Sequence, residues 1–551
     1  MPELTYDLLL RLSGGDASVV ERLSDDEIDA LWVETPVAEY LRREASLPEP
    51  RHVFLSGGAG DGKTTLIRKT EQHFDRNTWH IELDASTMTP DQVHDRLVAQ
   101  LREGKRLLVA INRGQLERLL QIAGSDSELL PVLTAVAEGL RLRVEWRPEH
   151  IEALRDVVTI DLSLQDNFQD GVFGELIRRA CEAAPPHDPV IATCFLESAE
   201  LLRRSAVQKK VMDVGQAIQA RGHRATMRDL WAFVSHILTG GLPDEPSPRQ
   251  ELSWTDHVGC RIFRQQHRSA GSLTLVMQAC DCADPARVPH PALTRDLLSG
   301  GLDQLPHPLE RHGLVGEGSG APGGADVVRA LWLIGDARVN AAPVQRQDLF
   351  TRLVNLTKDE KNSWVQSDRA VRRILELLAA LVGHRMHEGE LPAWRRLAYE
   401  ERPRQQAPFV ADAIIDRRVM HLGRPRPSPA AMEALGGEDS YFVSYIWLAD
   451  TPTASWSPQL RLTATMINDA LQARDATGTG RSGSEVMAVR LWLSRVRARP
   501  LESDRVLVLS PAGRPDQPAD VLLILENDEW AMTGADGGTL KVETYAPRHS
   551  A

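Results

Sequence analysis

The chain has 551 residues, 42% of them apolar and 26% charged, with 39 Gly and 33 Pro. These are the proportions of ordinary globular domains, so a collagenous, low-complexity or disordered chain is excluded, and the length suffices for roughly three or four domains. A net charge of −13 excludes a protein whose whole surface coats nucleic acid.

No apolar run reaches the roughly 18 residues that a membrane helix needs, and the opening MPELTYDLLLRLSGGD has no basic stretch before an apolar core. Five cysteines are too few and too scattered for a disulfide scaffold. The expected setting is a reducing cytoplasm, without a membrane partner.

In chain order, residues 1–50 read as short amphipathic helices, one opening at Ser24 with Asp25, Asp26 and Glu27 in its first turn. The prolines of LPEPRH (47–52) end that segment. A strand over His52–Ser56, a glycine loop and a helix over Lys63–Phe74 come next, then a strand over Trp79–Leu83 and a helix over Pro90–Leu101. RLLVAI (106–111) is a continuous apolar run of strand length, as a strand buried on both faces requires, and VVTIDL (157–162) is another. Strands alternating with helices at this spacing predict an α/β parallel sheet covered by helices over 51–165.

From 166 to 240 the pattern is helical, broken by AAPPHDP (183–189). Residues 241–430 read as mostly helical, including a helix from Ser367 with Val371, Ile374, Leu375, Leu378 and Val382 on one face. The texture changes after RPRPSP (424–429): SYFVSYIWLA (440–449), RVLVLS (505–510) and DVLLILE (520–526) read as strands of a mixed α/β domain over 431–551. Residues 341–429 carry 16 basic and 11 acidic side chains, a local excess of positive charge. Arg369, Arg372 and Arg373 could belong to a solvated helix face with internal ion pairs, or to a face that docks DNA or a partner.

The chemistry concentrates in GGAGDGKTT. Gly57-x-x-x-x-Gly62-Lys63-Thr64 is a complete P-loop between an apolar strand and a helix. Gly57, Gly58, Gly60 and Gly62, with Asp61 between them, let the backbone turn so that its N–H groups converge on a phosphate. Lys63 would reach the β- and γ-phosphates of ATP, the Thr64 hydroxyl would hold Mg²⁺, and Thr65 continues the binding turn. Only eight of the 64 basic residues are lysines, so a lysine at this position stands out.

A nucleotide hydrolase also needs an acid at the end of a neighbouring strand. Asp84 follows the second strand and Asp161 ends the fourth, though either could instead cap the next turn. The best-buried strand ends in Asn112, which cannot act as a base but can hold a water near the γ-phosphate. Arg228, in the first turn of a helix that opens at Thr226, places a cation where the helix dipole disfavours one, and so asks for an anion: a nucleotide phosphate, or Asp229 beside it. Cys280 and Cys282, with Cys260 and His290, lack the spacing of a zinc cage. No nucleophile or nuclease signature is visible.

Three stretches, Gly60-Asp61-Gly62-Lys63-Thr64 followed by Asp84-Ala85-Ser86, Ala110-Ile111-Asn112-x-Gly114-x-Leu116, and Thr226-Met227-Arg228, resemble AAA+-type ATPases of bacterial DNA-restriction systems. The likeness is to the DptF-like ATPase subunit of phosphorothioation-dependent restriction, and it covers roughly residues 50–240. It implies an AAA+/ASCE-like P-loop NTPase with a helical lid, ATP and Mg²⁺ as cofactors, and Asn112 and Arg228 at the sensor 1 and sensor 2 positions. It also implies other subunits of a defence complex as partners, DNA reached through that complex, and a homo-oligomer in which Arg178 or Arg179 would serve a neighbour's site. A nucleotide-gated switch with little turnover is the alternative, since no acid follows LLVAI.

Overall fold

The computed structural model describes residues 3–14, 22–83, 85, 88–124, 128–220, 222–240, 257–263, 272–280, 283–287, 289–298, 324–339, 349–358, 364–382, 391–392, 395–396, 409–411, 414–415, 417–438, 440–449, 459–474, 483–497, 505–509, 519–526, 529–533 and 539–541. The chain divides into two compact units: Met1–Asp348 with Arg426–Val443, and Leu349–Pro425 with Ser444–Ala551.

The first unit is built on a four-stranded parallel sheet of β1 (His52–Ser56), β2 (Trp79–Glu82), β3 (Arg106–Ala110) and β4 (Val157–Asp161), in the order β2-β3-β1-β4. Every residue of β1 and β4 is buried, which is why these strands read as unbroken apolar runs. The register sets Leu55 beside Ala110 on one side and Ser56 beside Asp161 on the other. The chain builds β2 and β3 on one flank of β1 and then crosses to the other flank for β4. The carboxyl end of β1 is therefore the switch point of the sheet, where open α/β sheets leave a crevice for ligands.

Local signals fix the helices as the sequence predicts. Ser24 caps Asp25–Leu31, with Glu27 closing a capping box, and Thr89 does the same for Pro90–Arg102 with Gln92. The helix after the glycine loop runs Lys63–Thr70 and tightens into a 3₁₀ turn over Glu71–His73, a common way for a helix to end. One apolar core joins the amino-terminal helix Tyr6–Leu12 to the helices between Glu175 and Thr239 and to Gly324–Ile334. Another fills the space between β3 and the helices Pro90–Arg102, Arg113–Ile122 and Leu129–Gly139.

Residues 426–443 return to this unit. The Arg426 backbone pairs with that of Arg143, and the Phe442 N–H donates to the Leu164 carbonyl at 2.6 Å.

In the second unit, helix Asp368–Val382 buries Val371, Ile374, Leu375, Leu378 and Val382, as the spacing predicts. Strands at 445–449, 505–509 and 519–526 also lie where they are expected. Among the described residues of 241–430 helices predominate, as the sequence predicts, and short strands come between and after them. Trp364–Val365 and His421–Gly423 join an antiparallel sheet with Tyr445–Ala449 and Leu460–Thr463, and Arg395–Arg396 and Phe409–Ala411 extend the sheet of Arg505–Leu509. These strands have two or three residues each, too short to show a period-two pattern, and their partners lie in distant sequence. Arg372 and Arg373 pair with Glu376 of the same helix at 3.0 and 3.5 Å, as on a solvated helix face.

His52, at the start of β1, accepts a hydrogen bond at Nδ1 from the Leu107 N–H at 3.1 Å. Burial first, and the nearby Arg106 second, hold it neutral, lowering its pKa from 6.5 to about 4. With the folded value depressed, the unfolded chain takes up the proton first as pH falls below 6.5, so this contribution to stability is intact at neutral pH and shrinks towards pH 4. Urea unfolding is expected to show a loss of about 2 kcal/mol from this group between pH 7 and pH 5. The same titration of His52→Gln should lack that component, and an unchanged pH dependence in the variant would refute the assignment.

Candidate functional site

The glycine loop leaves β1 at the switch point, and three of its glycines have positive φ: Gly57 (+146°), Gly60 (+89°) and Gly62 (+85°). A Cβ on Gly57 would meet the Asp61 Oδ2 at 2.6 Å, and one on Gly60 would lie 3.1 Å from the Thr226 hydroxyl and 3.2 Å from the Arg228 Cβ. Glycine is thus demanded by backbone conformation and by close approach together. Gly62 is the N-cap of helix Lys63–Thr70 and supplies no side chain to satisfy its first N–H groups. Those donors and the positive end of the helix dipole lie at the loop, an arrangement suited to an anion.

Lys63 donates from Nζ to the carbonyls of Gly57 (2.9 Å) and Gly58 (2.8 Å), lying across the loop. The Thr64 hydroxyl reaches the Leu83 carbonyl at 3.4 Å, which sets it at the carboxyl end of β2. Thr65 lines the same cavity.

Asn112, just past β3, caps helix Arg113–Ile122: its Oδ1 accepts the Gln115 N–H at 2.8 Å. With the oxygen held in the cap, the Nδ2 group is what the side chain offers to a ligand, so Asn112 can act there as a donor.

Helix Met227–Thr239 opens over the loop. Thr226 caps it in a capping box with Asp229, and the Arg228 N–H donates to the Gly60 carbonyl at 3.3 Å. The Asp229 carboxylate accepts from both the N–H (2.8 Å) and the hydroxyl (2.7 Å) of Thr226, so it serves the cap. The Arg228 Nε is buried without a hydrogen-bond partner among the described residues.

The loop, Asn112 and Arg228 line one cavity of about 610 Å³, a size that suits a cofactor-sized ligand. Besides Thr35, Arg68 and Gln165, its remaining wall is apolar and comes mainly from residues that the sequence did not single out: Leu23, Ile28, Leu31 and Trp32 from the amino-terminal segment, with Met227 and Trp231 from the helix above. The cavity therefore brings N–H donors and cations together with apolar side chains and two indoles, a lining that suits a molecule with an anionic part and a flat, less polar part.

The other expected residues fall out as follows. Asp84 and Ser86 lie outside the described residues. Asp161 is committed locally: its Oδ1 accepts the Ser163 N–H at 2.9 Å, capping a 3₁₀ turn, and its Oδ2 accepts from Arg113 at 2.8 Å. Glu82 ends β2 but faces Arg96, 3.4 Å away. Arg178 and Arg179 both pair with Glu175 in their own helix. Cys282 lies outside the described residues, and no cluster of three or more His, Cys, Asp or Glu among those described is placed to hold a metal ion. No described helix is long and apolar enough to cross a membrane.

The fold and cavity define an α/β chain with a glycine turn and a helix start at the switch point of a parallel sheet. No family model, curated protein or solved structure matches it.

Proposed function

We propose that the chain is an ATP-binding P-loop protein of the AAA+ type that hydrolyses ATP as a subunit of a bacterial DNA restriction or anti-phage defence complex. The observation that carries the ATP-binding part is the meeting of Lys63, Thr64 and Arg228 in one cavity at the carboxyl end of β1. In this reading the loop N–H groups and Lys63 bind the β- and γ-phosphates. Arg228, brought in by the helix over the loop, contacts the γ-phosphate and makes closure depend on ATP. Asn112 donates from its amide to the γ-phosphate or the attacking water, while the base lies against the wall of Leu31, Trp32 and Trp231.

A bound magnesium ion needs few protein ligands, because water and phosphate oxygens complete its shell, and the Thr64 hydroxyl suits that role. Mg²⁺ would neutralise phosphate charge there. Asp84 is the proposed acid. The defence role and the DNA-acting partners rest on the resemblance of Gly60–Thr64, Ala110–Leu116 and Thr226–Arg228 to restriction ATPases.

A second reading is a nucleotide-gated switch that recruits partners with little turnover. The commitment of Asp161 to Ser163 and Arg113 favours it. Steady-state phosphate release by the intact protein, with and without duplex DNA, separates the two. DNA-stimulated turnover is the expected result for the first reading. Tight ATP binding with no turnover in either condition selects the switch, and no ATP binding overturns both.

A further inference from the structure

The geometry points to Arg224 as a positioning residue that holds the phosphate-binding loop in its binding shape through Asp61. This rests on the reading of the loop as a nucleotide site. Asp61, the residue before Gly62, has a fully buried side chain, with 0% exposed. Its Oδ2 accepts the Gly58 N–H at 2.6 Å, so the carboxylate bridges the turn from inside and leaves no room for a Cβ on Gly57. Its Oδ1 accepts from the Arg224 Nη2, which also donates to the Leu162 carbonyl, just past β4, at 3.0 Å. Arg224 stands two residues before Thr226, which caps the helix over the loop.

One guanidinium therefore ties the loop, the exit of β4 and the approach to the covering helix. All three line or flank the cavity that Gly57–Leu66, Leu162 and Arg228 share.

A buried carboxylate inside a turn meant for anions needs a reason and a partner. Unpaired, it would be strongly disfavoured and would repel the phosphate that the turn is built to hold. Burial pushes the Asp61 carboxyl above its ordinary value, and Arg224, the Gly58 N–H and Lys63 pull it back. The pair lets Asp61 shape the loop as an acceptor while its charge is cancelled. Arg224 need not touch the nucleotide, and its effect should fall on ATP and ADP alike.

The test is titration of the full-length protein with fluorescent ATP and ADP analogues in the presence of Mg²⁺. Wild type, Arg224→Met, Arg224→Lys and the double variant Asp61→Asn/Arg224→Met are compared, each first checked for folding by circular dichroism. Arg224→Met is expected to weaken both nucleotides by about tenfold or more, because an unpaired carboxylate is left under the phosphates. Arg224→Lys should retain most of the affinity. Asp61→Asn added to Arg224→Met should restore binding several-fold, because the amide still accepts from Gly58 but carries no charge. In Arg224→Met, affinity should also rise as the pH is lowered and Asp61 takes up a proton, whereas wild type should change less.

A purely structural arginine would show neither the rescue nor the pH response. Wild-type affinity in a folded Arg224→Met, or no rescue by Asp61→Asn, overturns the inference while the nucleotide site stands. Should Arg224→Met fail to fold, Arg224→Gln takes its place: reduced affinity for both nucleotides that Asp61→Asn restores supports the inference, and unchanged affinity in the folded variant overturns it. Absence of nucleotide binding by wild type itself would overturn the underlying reading, and this inference with it.

Discussion

Lys63→Ala is expected to lower ATP affinity by roughly a hundredfold while leaving the fold intact. The ammonium is the one lysine charge in the loop, and it would bond to two phosphate groups at the foot of a cavity where few other cations lie. Charge-assisted bonds of this kind are worth about 1.5–3 kcal/mol each, so losing the pair removes about 3 kcal/mol even if water fills part of the gap. ADP should lose less, since the γ-phosphate contact is missing from the start. The fold should survive because the side chain bonds to loop carbonyls (Gly57 and Gly58) and is not part of the apolar core. Equilibrium titration beside a urea unfolding curve checks both halves. Undiminished ATP affinity in a folded variant would remove the phosphates from this loop.

Arg228→Ala is expected to act selectively. The side chain packs over Gly60, and its Nε is buried without a hydrogen-bond partner among the described residues, a state that a phosphate oxygen would relieve. ATP should bind about tenfold or more weakly in the variant, while ADP should change by much less, since a charge-assisted bond to the γ-phosphate is worth about 1.5–3 kcal/mol. Parallel titrations with the two nucleotides read the ratio directly. Equal losses would assign Arg228 to packing over the loop. The contrast with Arg224 is useful, because its removal is expected to weaken both nucleotides to a similar degree.

Much of this geometry is legible in the sequence because it is local. The apolar runs at 53–55 and 106–111 name two strands of the sheet. The glycines at 57, 60 and 62 name a turn that only they can make, and Ser24 and Thr226 name helix starts by their side-chain oxygens. Arg228 stands out because a cation at a helix start is out of place until something anionic faces it.

What was not legible depends on long-range packing. Leu23, Ile28 and Trp32 read as the apolar face of a short helix, and nothing in their spacing says that the face turns towards a loop more than twenty residues away. The Arg224–Asp61 pair spans 163 positions, and Asp61 alone reads as one more polar residue in a glycine turn. The strand at 421–423 exists because 447–449 supplies its partner, and 364–365 pairs in turn with 422–423. The return of 426–443 to the first unit is likewise invisible, since RPRPSP reads as a boundary between domains.

The central claim is that the cavity at the end of β1 binds the triphosphate of ATP. The measurement that tests it most directly is a calorimetric titration of the intact protein with ATP and Mg²⁺, run beside the same titration with ADP. The account predicts a saturable site, one nucleotide per chain, with ATP bound more tightly than ADP. A titration with no saturable heat for either nucleotide and no thermal stabilisation by ATP would contradict it.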